Sequence, residues 1–324
     1  MLTLIIHDLD IKQQLLNGNN YAQRRRLRRT SANPAIAITR YASIVFDGPD
    51  LASHHLNIPE IIYGTAWKKA DTQYLVRTAI GLGFRGIDTA CQPKHYNEAG
   101  VGAALAESLD GKLARSDLYL QTKYTSVSGQ DAMTIPYDPN APLAEQVAQS
   151  FAVSLQNLKS TYVDCLVLHS PLASAKQTME VWRAMESLVA AGGVRHLGIS
   201  NCYGLDALEA LYDSAEIKPA VIQNRFYADT RYDREIRAFC RKERIVYQSF
   251  WTLSANPHLL ANGIVTALAS KYARSPAQIL FRYLTQAAVA PLTGTRSEAH
   301  MREGLAIFEF ELTGPEREAI DAIL

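Results

Sequence analysis

The sequence has only four cysteines in 324 residues, at positions 91, 165, 202 and 240, and no CxxC pair among them. That scarcity speaks against a disulfide framework and against a cysteine-based metal site, and a reduced compartment is the expected setting. Net charge is also lacking: Lys plus Arg total 33 against 32 for Asp plus Glu. A balanced chain has no electrostatic reason to seek nucleic acid or a membrane surface. No apolar run reaches the roughly 18 residues that crossing a bilayer requires. No GxGxxG follows any predicted strand, which counts against a Rossmann domain.

Hydrophobic residues make up 48% of the chain and charged ones 20%, enough for a large core. The length suits either two ordinary domains or one α/β barrel of about 250 residues with additions. Residues 1–56 differ from the remainder. A short amphipathic stretch is followed by NGNN and then RRRLRR, with five arginines between Arg24 and Arg29. The Arg-rich start suggests a mitochondrial presequence, but Asp8 and Asp10 stand where such peptides avoid acids. A poorly ordered extension of a cytoplasmic protein is the expectation, with 57–324 as the folded unit.

From Pro59 the pattern becomes regular. Short apolar runs end at GTAW, GIDTA, QTKYT, LVLHS, LGISN, VIQN, YQSFW and AVAPL, and amphipathic stretches separate them. A helix is predicted from an Asp71 N-cap to residue 82, another over 143–158, one ending at Gly192, and two over 259–272 and 276–286. Eight strands alternating with helices predict a (β/α)8 barrel with an N-terminal extension. The loop over 126–142 is long and rich in Gly and Pro, and its place after a strand end predicts a lid or a substrate wall.

In such a barrel the carboxyl ends of the strands share one site. Asp88, Lys123, His169, Ser200, Asn201, Gln223 and Phe250 all fall at successive strand ends, and Tyr96 lies in the loop after the second. Asp, Lys, Tyr and His without metal-ligand spacing suggest proton transfer. A tyrosine is a weak acid at its free pKa of about 10, and a neighbouring cation makes its phenolate accessible. Lys123 can supply that charge, Asp88 can hold the ammonium, and His169 can orient a carbonyl oxygen. No side chain delivers hydride, so the site implies a cofactor.

These stretches, together with GFRGIDTA, YNEAGVG, SPAQIL, PLTGTRSEAHMREGL and FEFELTGPE, resemble the aldo-keto reductases from about residue 59 to the C-terminus. The loop sequences GQD, IPYD and QPKHY resemble a fungal branch of that family. The resemblance implies reduction of an aldehyde or ketone by NADPH, with NADH open, and with Tyr96 as general acid, Asp88 and Lys123 tuning it, and His169 guiding the substrate. It implies that Ser200, Asn201 and Gln223 hold the nicotinamide carboxamide and that Phe250 stacks on the ring. Trp67, Tyr124 and Trp251 are expected to line the substrate pocket. Two departures matter. The loop before Tyr96 is longer than usual, and His95 takes the tyrosine position when one counts back from Val101–Gly102. The phosphate loop has Gly294, His300 and Gly304 where a basic residue, an Arg and an Asn are usual, leaving Thr295, Arg296 and His300 as its expected contacts. A redox-neutral biosynthetic enzyme and a cofactor-binding regulatory subunit are the competing readings. The partner in every case is a small molecule, and oligomeric state is not legible.

Overall fold

The computed structural model describes residues 58–109 and 113–324; the expected extension, 1–56, lies outside the described residues. Eight parallel strands close into a barrel in chain order: β1 Ile62–Gly64, β2 Gly86–Asp88, β3 Tyr119–Tyr124, β4 Val163–Leu168, β5 Val194–Ser200, β6 Val221–Arg225, β7 Val246–Phe250 and β8 Val289–Thr293. The helices are α1 Thr72–Leu82, α2 Glu98–Ser108, α3 Leu143–Leu158, α4 Ala175–Ala190, α5 Leu205–Ser214, α6 Arg234–Glu243, α7 Pro257–Leu260, α8 Gly263–Tyr272, α9 Pro276–Gln286, α10 Glu298–Leu305 and α11 Gly314–Asp321.

Period-two alternation sorts the strands into two layers. One face of each strand packs on the helices, as Leu120, Leu166, Ile199 and Tyr247 do. The other face fills the barrel, where Ile62, Tyr119, Cys165, Val167, Val221, Val246 and Ala290 form a separate buried cluster. Strand β4 is buried along its whole length because helices cover one face and the barrel interior the other. Its single charge, Asp164, is satisfied by Arg115 at 2.8 Å and Arg195 at 2.9 Å.

Local signals set the boundaries. Gly192 ends the α4 segment with φ +79°, a conformation open to glycine at no steric cost. Gly102 lets α2 meet α3 closely, since a Cβ there would lie 2.0 Å from the Asn157 carbonyl oxygen. The stretch 259–272 is two helices rather than one: the Asn262 side chain accepts from the Ile264 amide at 2.8 Å and starts α8 anew. Asp71 stands at the N-cap of α1 without capping it; its carboxylate pairs with Arg296 at 2.5 Å instead.

Candidate active site

The strand ends open into a cavity of about 740 Å³ lined by Trp67, Lys68, Asp88, Tyr96, His169, Ser200, Asn201, Gln223, Arg225, Phe250, Trp251 and Thr295, among others. Lys123 lies directly beneath this wall, only 1% exposed. Its ammonium donates to both Asp88 carboxylate oxygens, at 2.6 and 2.7 Å, and to the Thr89 carbonyl at 2.8 Å. Burial lowers its pKa, and Asp88 opposes that shift.

Asp88 is held from the other side by amides. Gln121 donates to its Oδ1 at 2.7 Å and Gln223 at 3.0 Å, and both also donate to the Gln248 side-chain Oε1 at 2.9 Å. Gln248 returns a bond to Gln121 at 3.1 Å, and the Tyr119 hydroxyl donates to Gln121 at 2.7 Å. Strand register explains the convergence, since Asp88 pairs with Gln121 and Gln223 with Gln248. A carboxylate accepts only, which fixes the amide nitrogens of Gln121 and Gln223 toward it. Gln223, expected on the cofactor, therefore has its amide nitrogen turned to Asp88.

The Tyr96 ring stands edge-on to His169 with centroids 6.0 Å apart, and Lys123 Nζ lies 5.2 Å from the Tyr96 ring centroid. No hydrogen bond engages its hydroxyl among the described residues. Sequence reasoning has the lysine making the phenolate accessible. Here burial, and after it the Asp88 charge, push the Tyr96 pKa above the usual phenol value. The physical reason is that Lys123 is already paired with Asp88, so the tyrosine faces a neutral pair inside a poorly solvated pocket. His169 shares a 2.6 Å hydrogen bond between Nδ1 and the Thr125 hydroxyl. Burial, then Lys123 and His95, hold its pKa well below the ordinary imidazole value, so the ring is neutral at pH 7. His95 lines the same cavity, with its ring stacked on Trp67 at 3.8 Å and its Nδ1 meeting Gln92 at 3.0 Å.

Ser200 donates to the Gln223 carbonyl at 2.6 Å, and Asn201 donates to the His169 carbonyl at 2.9 Å. Trp67, Asn201 and Trp251 all hold left-handed backbone, with φ of 63°, 52° and 55°. Each such residue costs roughly 1–2 kcal/mol, and the same conformation recurs away from the site, at Lys159, Arg244 and Ala273 among others. Tyr124 does not line the cavity. Its neighbour Lys123 points inward, so alternation sends Tyr124 outward, where it stacks on Tyr137 and donates to Gln146 at 3.2 Å. The loop over 126–142 supplies wall rather than a free flap: Gln130 donates to the Cys91 carbonyl at 2.9 Å, Tyr137 to the Thr125 carbonyl at 2.7 Å, and Gln92 to the Gly129 carbonyl at 2.6 Å.

At the β8 end, Thr295 lines the cavity, but Arg296 and His300 do not. Arg296 bridges to Asp71 and to the Trp67 carbonyl at 2.9 Å, so it ties the loop after β8 to the loop after β1. Sequence reasoning missed Lys68 and Arg225, both on the cavity wall. Lys68 is 5% exposed, donates to the Gly294 carbonyl, and has its pKa lowered to about 8 by burial and by Arg296.

A closed parallel barrel with ionisable groups gathered at the carboxyl ends of its strands defines an enzyme of the (β/α)8 class. The chain belongs to the aldo/keto reductase family, whose model matches residues 60–324. It is accordingly an oxidoreductase that acts on carbonyl groups with a nicotinamide cofactor. It is 32% identical over 248 residues to glyoxal reductase of Bacillus subtilis, covering 76% of this chain and 82% of that protein. An aldo/keto reductase of Brucella melitensis superposes with a TM-score of 0.70 at 29% identity, over 82% of this chain and 95% of that one. A Bombyx mori aldo-keto reductase in complex with NADP gives 0.69 at 25% identity, over 82% and 89%.

Proposed function

We propose that the chain reduces a small aldehyde or ketone with NADPH, and that Tyr96 supplies the proton. The observation that carries this reading is the Tyr96 ring, set against His169 and Lys123 with its hydroxyl unengaged on the cavity wall. The wall suits a dinucleotide: Lys68 and Arg225 present cations with no carboxylate partner among the described residues, while the nearby amides and hydroxyls offer polar contacts. Ser200, Asn201 and Gln223 would hold the carboxamide, Phe250 would stack on the ring, and Thr295, with Lys68 beside it, would face phosphate. When bound, the nicotinamide supplies the hydride that adds to the carbonyl carbon. Tyr96 then gives its proton to the carbonyl oxygen, and its raised pKa keeps it protonated until that step. Neutral His169, whose Nδ1 is held by Thr125 and whose second ring nitrogen has no hydrogen-bond partner among the described residues, can hold the same oxygen and aim it at Tyr96. His95 also lines the cavity, but its ring is stacked on Trp67 and its Nδ1 is engaged by Gln92, whereas the Tyr96 hydroxyl is unengaged. Trp67 and Trp251 would wall the substrate.

NADPH is favoured over NADH because the Arg296–Asp71 pair is exposed, at 52% and 60%. An exposed ion pair is worth about 0–1 kcal/mol, so a 2′-phosphate can displace Asp71 at small cost. His300 opens α10 nearby but stands off the cavity wall and is a secondary contact at most. A cytoplasmic location is the reading proposed for the chain; no helix among the described residues is long and apolar enough to cross a membrane. A fungal origin rests on the loop sequences around Gln92, Gln130 and Tyr137 alone. Calorimetric titration with NADPH and NADH, followed by turnover on a panel of aldehydes and ketones, tests the reading. Tight NADPH binding with cofactor oxidation is expected; binding without turnover on any carbonyl would refute it.

A further inference from the structure

We propose that Arg225 is a phosphate-binding residue, seated on Trp251 to receive the diphosphate bridge of the dinucleotide; this rests on the cofactor reading above. Arg225 ends β6 and has the same inward parity as Gln223. Its guanidinium carbon lies 4.1 Å from the Trp251 ring centroid and 5.1 Å from that of Tyr227. Its Nε is buried without a hydrogen-bond partner, and none of its guanidinium nitrogens meets a carboxylate among the described residues. Arg115, Arg282 and Arg296 each reach a carboxylate, on Asp164, Glu311 and Asp71, although Arg282 Nε shares with Arg225 Nε the lack of a hydrogen-bond partner; what sets Arg225 apart is its place on the cavity wall without a carboxylate. Stacking fixes the plane of a guanidinium and leaves its edge donors free. Those donors match a pair of oxygens on one anion.

Charge and topology select the anion. The charged side chains on the cavity wall are Lys68, Asp88 and Arg225, and Asp88 is already neutralised by Lys123. The uncompensated charge is thus positive and sits at the β6 end and at the β1–β8 end. In an eight-stranded closed barrel β6 lies opposite β2, the strand that leads to Tyr96. A small substrate in contact with Tyr96 has the width of the barrel between itself and Arg225, whereas a dinucleotide spans it. Arg225 also pairs with Phe250 in the β6–β7 register. Phosphate begins one ribose beyond the nicotinamide, which puts it beside the neighbour of that ring.

The test is calorimetric titration of the full chain and of its Arg225→Gln and Arg225→Lys variants with NADPH, with NADH and with reduced nicotinamide riboside, which carries no phosphate, at low and high salt. Arg225→Gln should weaken both dinucleotides alike by about tenfold to a hundredfold, the usual range for a lost hydrogen bond to a charged group. It should also flatten the salt dependence and leave riboside binding unchanged, and Arg225→Lys should recover part of the loss. Unchanged dinucleotide binding overturns the assignment, and so does an equal loss for the riboside, which would mean that Arg225 only props up Trp251. A raised KM confined to carboxylate-bearing substrates, with dinucleotide affinity intact, would give the anion seat to the substrate instead. If the unmodified chain binds neither dinucleotide, the cofactor reading itself falls and takes this inference with it.

Discussion

Replacing Tyr96 with Phe isolates one hydroxyl. The ring contacts survive, because the His169 ring at 6.0 Å and Lys123 Nζ at 5.2 Å are measured to the ring centroid and do not involve the oxygen. The hydroxyl engages no hydrogen bond among the described residues, so its removal strands no buried donor. Folding stability should therefore stay within about 0.5 kcal/mol, as for substitutions that touch no buried network. Loss of a positioned general acid costs about 10²–10⁴ in rate, or ~3–5 kcal/mol of barrier. The expected pattern is a kcat lowered by that factor, with the NADPH dissociation constant and urea midpoint unchanged. Burial and the Asp88 charge raise the Tyr96 pKa, so the acid form prevails below that value. Reduction by the unmodified enzyme should accordingly show no loss due to this group from about pH 6 to about pH 9. A Tyr96→Phe enzyme that keeps kcat within about tenfold refutes the assignment, since that is below the range of general acid catalysis. A large loss in His95→Gln would then identify the histidine as the acid.

Glu60 is buried and its pKa is raised to about 7 by burial, with Arg282 opposing. Its folded form holds a proton that the unfolded chain has released, so stability should fall as pH rises from about 4.5 to 7, by about 3 kcal/mol, and level off above; urea denaturation at stepped pH reads this, and Glu60→Gln should flatten the curve. Gln121→Leu takes a donor from Asp88 and leaves the Tyr119 hydroxyl and the Gln248 amide short of a partner. It should destabilise by about 2–3 kcal/mol, and an unchanged urea midpoint would show that the amide layer relaxes freely. Arg296→Ala should weaken NADPH more than NADH in direct titration; equal loss for both would mean that Arg296 does not meet the 2′-phosphate.

The barrel is legible because its strands are short apolar runs that each stop at a polar residue, and that pattern marked Asp88, Lys123, His169, Ser200, Asn201, Gln223 and Phe250. Alternation alone separates Tyr124 from its neighbour: a side chain next to an inward Lys123 faces the helices. The amide layer had a weaker signal. Gln121 and Gln248 are amides in the middle of β3 and β7, and a buried amide demands a partner. Which partner depends on register across the barrel, and β3 and β7 are not adjacent, so no local pattern carries it. Lys68 and Arg225 each follow a recognised stretch, WKK and QNR, but local sequence does not say which basic side chain turns inward. Strain was equally hidden: nothing in the residue types Trp67 and Trp251 announces a left-handed backbone.

The site is divided electrostatically, and the division follows from how each charge is answered. On the side of β2 to β4, Asp88 and Lys123 cancel, three amide or ammonium donors meet Asp88 Oδ1, and His169 is neutral. A neutral, poorly solvated pocket disfavours a phenolate before the reaction and leaves Tyr96 protonated, as a proton donor must be. On the side of β6, β8 and β1, Arg225 and Lys68 are answered only by aromatic faces and a backbone carbonyl. Lys68, lowered to about 8 by burial and by Arg296, gains charge when an anion binds beside it, because an opposite charge favours the protonated amine. Dinucleotide binding should therefore take up protons near pH 8. Proton uptake measured by calorimetry in two buffers of different ionisation enthalpy would show it, and Lys68→Met should abolish it. Uptake that persists in Lys68→Met would place the titrating group elsewhere.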